Sequence, residues 1–194
     1  TLEQVLFVQH FWDTYPEHRA ALTALVQNRQ LTFAWAGLIQ PETSLAAPAI
    51  QWRNLQLGED WIAATFGVDY VPHTAWQSDA FGNSAAFPQF LGQSGIPYLF
   101  IGRSQFRCDA EAQDCEPLPH AFYWRSPAIP EAAPVLTTYM SYPTAWDAIH
   151  RLTTLDEQLT GLRGVVEAEF ARTTSKYLFL PMGSDFIDPL PNLP

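Results

Sequence analysis

Basic side chains are scarce. Lys and Arg total 10 in this chain of 194 residues, against 20 Asp and Glu, for a formal net charge of −10. That balance argues against partners recognised through phosphate charge, so neither nucleic acid nor an anionic membrane surface is expected. No apolar run reaches the ~20 residues that a membrane span requires. No basic segment followed by an apolar one opens the chain, so no signal peptide is expected. The first residue is Thr1 rather than Met, which implies that this end was cut or left out. Cysteine is rare too: Cys108 and Cys115 are the only two. Their spacing allows a local disulfide, but reduced or weakly oxidised loop cysteines are the expected state. Without a nearby His the pair makes a poor zinc site. These features lean toward a cytoplasmic location. There is no internal repeat and no low-complexity tract.

Apolar and aromatic residues are plentiful. Hydrophobic residues make up 47% and aromatics 14%, with seven Trp. Disorder is therefore not expected, and the length suits one domain with a sizeable core. Trp and Tyr present flat apolar faces with a polar edge, and such faces suit sugar rings. Most of the Trp residues are expected in the core.

Leu2, Val5, Leu6, Val8, Phe11 and Trp12 predict a helix. Thr14, with Pro16 and Glu17 after it, predicts a capped second helix start. Leu22, Leu25 and Val26 form that helix's apolar face, and Asn28-Arg29-Gln30 closes it. Residues 31–38 read as a strand, and Tyr70-Val71-Pro72 reads as a strand-like approach, with His73-Thr74-Ala75 leading in to the Asp79 stretch. Residues 44–66 read as a helical region broken or bent at Pro48 and Gly58 and ended by Gly67. Ser84 to Leu91 reads as a short helix capped by Ser84, with Gly95 as the stop. Strands are predicted at 97–103, 120–125, 135–140 and 176–181, with loops at 104–119 and 126–134. Residues 146–155 are ambiguous between loop and short helix. Leu155, Leu159, Leu162, Val166 and Phe170 mark an amphipathic helix despite Gly161 and Gly164. The alternation predicts an α/β fold: a mainly parallel sheet or incomplete (β/α) barrel with flanking helices.

Two stretches concentrate chemistry. Trp76-Gln77-Ser78-Asp79-Ala80-Phe81-Gly82-Asn83-Ser84 sets a carboxylate at a predicted strand-to-helix junction, where α/β folds meet their ligands. Leu180-Pro181-Met182-Gly183-Ser184-Asp185-Phe186 sets a second carboxylate just past a predicted strand. Two such groups suit glycoside hydrolysis with retention. One attacks the anomeric carbon and the other protonates the leaving oxygen, about 5 Å away. The nucleophile must stay ionised, and the acid must stay protonated through burial or a neighbouring negative charge. The structural alternatives are plain. Asp79 could be a carboxylate at a helix N-terminus, Asp185 an Asx-type turn, Arg103 a surface cation and Trp76 a core residue.

The first stretch resembles glycoside hydrolase family 38, the α-mannosidases, whose nucleophile segment reads W-Q-I-D-P-F-G-H-S. Seven of ten positions agree when Ala85 is counted; of the three departures, two matter, Ala80 for Pro and Asn83 for His. The second stretch is similar to the family string M-G-S-D-F, five consecutive residues in the family's order. Gln30-Leu31-Thr32-Phe33 with Gly37 echoes a family strand, G-Q-L-E-F-V-x-G-G-W. Pro41-Glu42-Thr43 stands where the family has D-E-A, and keeps one carboxylate. The resemblance implies the fold of the family 38 catalytic domain. It also implies a retaining exo-α-mannosidase acting by double displacement on a mannose-containing oligosaccharide or glycoside. It makes Asp79 the nucleophile and a metal ligand, and Asp185 the acid/base. Arg103, ending an F-x-G-R-like strand, would hold the Asp79 carboxylate by charge-assisted bonds. Tyr142 and Phe81 would contact the sugar.

Family members also bind a divalent ion, usually zinc, through the His and Asp of an H-x-D motif, the nucleophile and a later His. No H-x-D occurs here, and His10, His18, His73, His120 and His150 do not sit in the family's contexts. Residues 1–194 are therefore expected to be an internal part of the N-terminal catalytic domain. The first strand with its metal motif and the later His-bearing region would be absent, and the zinc site incomplete. Such a piece would expose a sheet edge and apolar surface. It is expected to lack turnover alone and to associate, with a second copy or with missing parts of its own chain. Ala80 and Asn83 favour one alternative, a non-catalytic sugar-binding or interaction domain that retains the fold. A polysaccharide deacetylase-like metal hydrolase is disfavoured by the lack of a His-x-x-x-His pattern. The mannosidase reading requires Asp79 and Asp185 to converge on one pocket at one rim of the sheet.

Overall fold

The computed structural model describes residues 2–102, 119–139, 149–171, 173 and 175–181. The chain opens with α1 (Val5–Thr14) and α2 (Arg19–Gln27), joined by a single 3-10 turn at Pro16–His18. Val5 and Val8 of α1 and Leu22 and Val26 of α2 are buried, while Leu25 is exposed. Arg29 takes a left-handed backbone (φ 56°) and turns the chain out of α2. The long α3 (Pro48–Phe66) buries Gln51, Leu55, Gly58, Ile62 and Phe66, a stripe three or four residues apart. Gly67, at φ 112°, stops it. Trp12, Trp61 and Phe66 meet edge to face with centroids 5.5–6.3 Å apart; each such pair adds about 0.5–1.5 kcal/mol beyond area burial.

Next come β1 (Thr74–Gln77), α4 (Phe87–Gln93), β2 (Tyr98–Ile101), β3 (Ala121–Trp124), β4 (Val135–Tyr139) and α5 (Leu155–Phe170). The sheet order is β1-β2-β4-β3. β1 pairs with β2, and β2 with β4, in parallel; β3 pairs with β4 antiparallel. The short β3–β4 connection requires that reversal. Arg125 braces the connection by donating to the Pro130 and Ala132 carbonyls at 3.2 and 2.8 Å. Register sets Ala75, Leu99 and Thr137 on one line and Gln77, Ile101 and Tyr139 on another. All six are buried, in a core that also holds Trp35, Leu55, Ile62, Phe87 and Leu91. The opposite face carries Trp76 stacked on Phe100 at 4.1 Å, with Phe179 edge-on to both.

Several local expectations change. Thr14 ends α1 and caps nothing; the turn at Pro16 has no side-chain cap. Pro48 begins α3, where its missing N–H costs nothing, rather than bending it. Gly58 is no break either: a Cβ there would collide with the Ala36 carbonyl, so it is the point where helix and chain touch. Residues 31–38 form no strand: Phe33 to Gly37 are buried, but their ladder reduces to one parallel bridge, Leu2 to Phe33. The helix expected from Ser84 begins at Phe87; Ser84 instead closes a turn by accepting from Ala86 N–H at 3.3 Å. Residues 176–181 run across the sheet without joining it, held by Phe179 N–H on His120 Nε2 at 3.3 Å. The α5 stripe exists, yet Leu155 is 69% and Leu159 54% exposed.

Candidate active site at the rim of the sheet

β1 points Ala75 and Gln77 into the core and Thr74 and Trp76 to the other face, then releases the chain at Ser78-Asp79. Its last residue is level with Ile101 of β2, which is level with Tyr139 of β4. Three parallel strands therefore end together at one rim. The Gly102 N–H donates to the Gln77 carbonyl at 3.0 Å. Gly102 also lies so close to the Ser78 backbone that a Cβ has no room. Asp79 follows the end of β1 by two residues, Arg103 the end of β2 by two, and Tyr142 the end of β4 by three. Arg103, Tyr142 and Asp185 themselves lie outside the described residues, as do Cys108 and Cys115.

Asp79 is partly buried, with Oδ1 shielded from solvent. Ala80 turns inward at 3% exposure and Phe81 turns outward at 61%. Carboxylate and aromatic ring thus share one loop, the ring open to an incoming ligand. A segment from Gln40 to Ser44 holds this loop. Glu42 Oε2 accepts from Phe81 N–H at 2.8 Å, and Thr43 Oγ1 accepts from Ser84 N–H at 2.9 Å. The Ser78 hydroxyl lies 3.1 Å from Glu3 Oε2 and 3.3 Å from Gln40 Oε1. The sequence hinted at Glu42 only as a carboxylate retained after an extended run, and it gave no sign of Thr43.

His73 directly precedes β1, so it stands at the opposite end of that strand from Asp79. There it lines a cavity of about 850 Å³ with Arg29, Glu59, Asp69 and Tyr70. A second cavity of about 560 Å³ is lined by Trp76, Phe100, Thr138 and Phe179 to Pro181, which brings the approach to the Asp185 motif against β1 and β2. His120, 1% exposed, is fixed behind it. Phe179 N–H donates to Nε2, so Nδ1 carries the proton and faces Glu169 Oε2 at 3.3 Å. Neither His120 nor Glu169 was singled out for this task by sequence, since their partnership spans 49 residues.

A carboxylate loop beyond the level ends of parallel strands belongs to an α/β domain, and stands where such domains carry their ligand sites. The family is specific. The model of the glycosyl hydrolases family 38 N-terminal domain matches residues 1–191, and the chain belongs to that family. It is 26% identical over 148 residues to alpha-mannosidase 2 of Drosophila melanogaster, covering 74% of this chain and 13% of that protein. It is 23% identical over 189 residues to alpha-mannosidase D of Dictyostelium discoideum, covering 94% of this chain and 15% of that one. The chain thus spans a small part of the length of these relatives. Its fold matches the crystal structure of an alpha-mannosidase from Enterococcus faecalis with a TM-score of 0.73 at 15% identity, over 93% of this chain and 19% of that one.

Proposed function

We propose that this chain forms part of the catalytic domain of a retaining exo-α-mannosidase. Asp79 attacks the anomeric carbon of a terminal α-linked mannose. Asp185 protonates the departing oxygen, then takes a proton from the water that releases the sugar. Arg103 keeps the Asp79 carboxylate ionised and oriented. Phe81 offers its ring to the apolar face of the sugar, and Tyr142 contacts its hydroxyls. The observation that carries this reading is the Asp79 loop itself, which leaves β1 where β1, β2 and β4 end together and bears the exposed Phe81 ring beside the carboxylate. Family membership supports the chemistry.

Among the described residues, no group of three or more His, Cys, Asp or Glu could hold a metal ion. The donors among the described residues do not make a complete zinc site, and no catalytic step is routed through a metal. Asp79 is proposed as this chain's one ligand to a zinc ion in the full-length enzyme. Residues 1–194 alone are proposed to be inactive.

The test is hydrolysis of 4-nitrophenyl α-mannoside by the full-length protein, with its zinc content measured alongside. Asp79→Ala and Asp185→Ala are each expected to lower kcat/KM by about 10³-fold or more. Activity that survives both substitutions refutes the assignment. A wild-type protein that binds mannosides and hydrolyses none is instead the non-catalytic sugar-binding domain.

A further inference from the structure

We propose that Glu42 and Thr43 are positioning residues, clipping the backbone of the Asp79 loop at two amides and thereby setting where the nucleophile stands. The proposal rests on the reading of Asp79 as nucleophile. The chain between β1 and α4, residues 78–86, contains no helix or strand, so no regular ladder of backbone bonds holds its shape. It is held from outside. The Phe81 amide, two residues past Asp79, donates to Glu42 Oε2 at 2.8 Å, and the Ser84 amide donates to Thr43 Oγ1 at 2.9 Å. On the near side of Asp79, the Ser78 hydroxyl approaches Gln40 and Glu3. The loop is thus tied on both flanks of the carboxylate, which leaves Asp79 little but its own side-chain torsions.

The clip is itself rigid. The Glu42 carbonyl accepts from the amides of Leu45 and Ala46 at 3.0 and 2.9 Å, folding 42–46 into a turn. Gln51 of α3, buried, donates its side-chain amide to the carbonyls of Thr43 and Ala46 at 3.2 and 2.8 Å. The Ser44 hydroxyl donates to Glu42 Oε1 at 3.1 Å, so both oxygens of that carboxylate are engaged. Thr43 is 3% exposed. A carboxylate makes a stronger acceptor for a backbone amide than a neutral group does, and its second oxygen fixes its plane. A shift of about 1 Å in a reacting group can cost about 10²-fold in rate, so a loop lacking regular structure needs such a tether.

Positioning and charge make different demands on Glu42. Gln at this position keeps an oxygen for Phe81 N–H and a nitrogen to donate to Ser44, but removes the charge. In the full-length protein, E42A is expected to lower kcat about 10²-fold with KM changed less than about threefold. E42Q is expected to recover most of that loss, with the acidic limb of the pH profile unmoved. T43V is expected to lower kcat in the same direction and T43S to restore it. Hydrogen exchange of the Phe81 amide in E42A, and of Ser84 in T43V, should quicken by about tenfold or more, and return toward wild type in E42Q and T43S. E42Q as impaired as E42A, or E42A with wild-type kcat, overturns the proposal. A wild-type protein inert on every α-mannoside defeats the mannosidase reading on its own, and exchange then decides the clip: unchanged Phe81 and Ser84 amides in E42A and T43V overturn it.

Discussion

Gly102 offers the most direct check on the geometry of the rim. Its N–H is bonded to the Gln77 carbonyl, and a Cβ built on it overlaps the Ser78 carbonyl oxygen, with Ser78 Cα and C at 3.0 and 3.1 Å. These are backbone atoms at the end of a paired strand and cannot swing aside as a side-chain tip would. The demand is for space rather than conformation, since the glycines at positive φ among the described residues are Gly67 and Gly95. Overpacking of this kind costs about 1–3 kcal/mol. For a chain of this size each kcal/mol moves the melting temperature by about 2–4 °C, so Gly102→Ala should melt several degrees lower. Because Ser78 must yield, Asp79 moves with it, and kcat of the full-length protein should fall by about 10–10²-fold. Gly164 is the control of opposite sign. It is exposed within α5 and a Cβ there meets nothing within 4 Å, so Gly164→Ala should stabilise by about 0.5–1 kcal/mol. Circular-dichroism melts of residues 1–194, and turnover of the full-length protein carrying the same substitutions, decide the matter. A Gly102→Ala protein that melts with the wild type and turns over normally refutes the reasoning.

Partial burial, reinforced by the charge of Asp60 and opposed by His73, raises the Glu59 carboxyl above its ordinary value of 4.5. The folded state therefore holds that proton more tightly than the unfolded one. The stability this contributes is present below about pH 4.5 and is lost as pH rises through the folded value. Glu59→Gln should accordingly melt above wild type at pH 7, with the gain vanishing by pH 4; equal melts at pH 7 contradict this. Glu169→Ala removes the acceptor facing the buried His120 Nδ1–H and should cost about 1–3 kcal/mol. Glu169→Gln keeps an oxygen there and should restore most of the loss in a urea titration.

Sequence pattern reached the rim by way of Asp79 and stopped short of what holds it. β2 and β4 were legible because short apolar runs set off by Pro or Gly admit few other readings. β1 was reached only in part: the strand-like approach expected at Tyr70-Val71-Pro72 overlaps a 3-10 turn at Val68–Tyr70, and the strand itself lies at Thr74–Gln77. Gly95, at φ 71°, ends α4 as a stop should. Pro48 and Gly58 misled because a local rule cannot tell a helix start from a kink, nor a weak helical residue from one pressed on the Ala36 carbonyl. Residues 31–38 have strand composition, but strandhood depends on neighbours, and Leu2 provides one bridge. In α5, periodicity named the apolar face but does not say what covers Leu155 and Leu159, and the Thr154–Glu157 capping box that starts the helix went unread. The Glu42 and Thr43 contacts span 39 and 41 residues, a separation at which no pattern in the chain announces a hydrogen bond.

Those two contacts, and Thr74 Oγ1 on the Ala34 carbonyl 40 residues away at 2.7 Å, share one arithmetic. Between their two sets of partners lies α3, nineteen residues long, a rod of about 28 Å at 1.5 Å per residue. It acts as a gauge block. Adding or deleting one turn would slide one bank of donors past its acceptors by about 5.4 Å, and all three bonds would fail at once. Insertions can be absorbed only at the joints on either side of the rod, where slack exists.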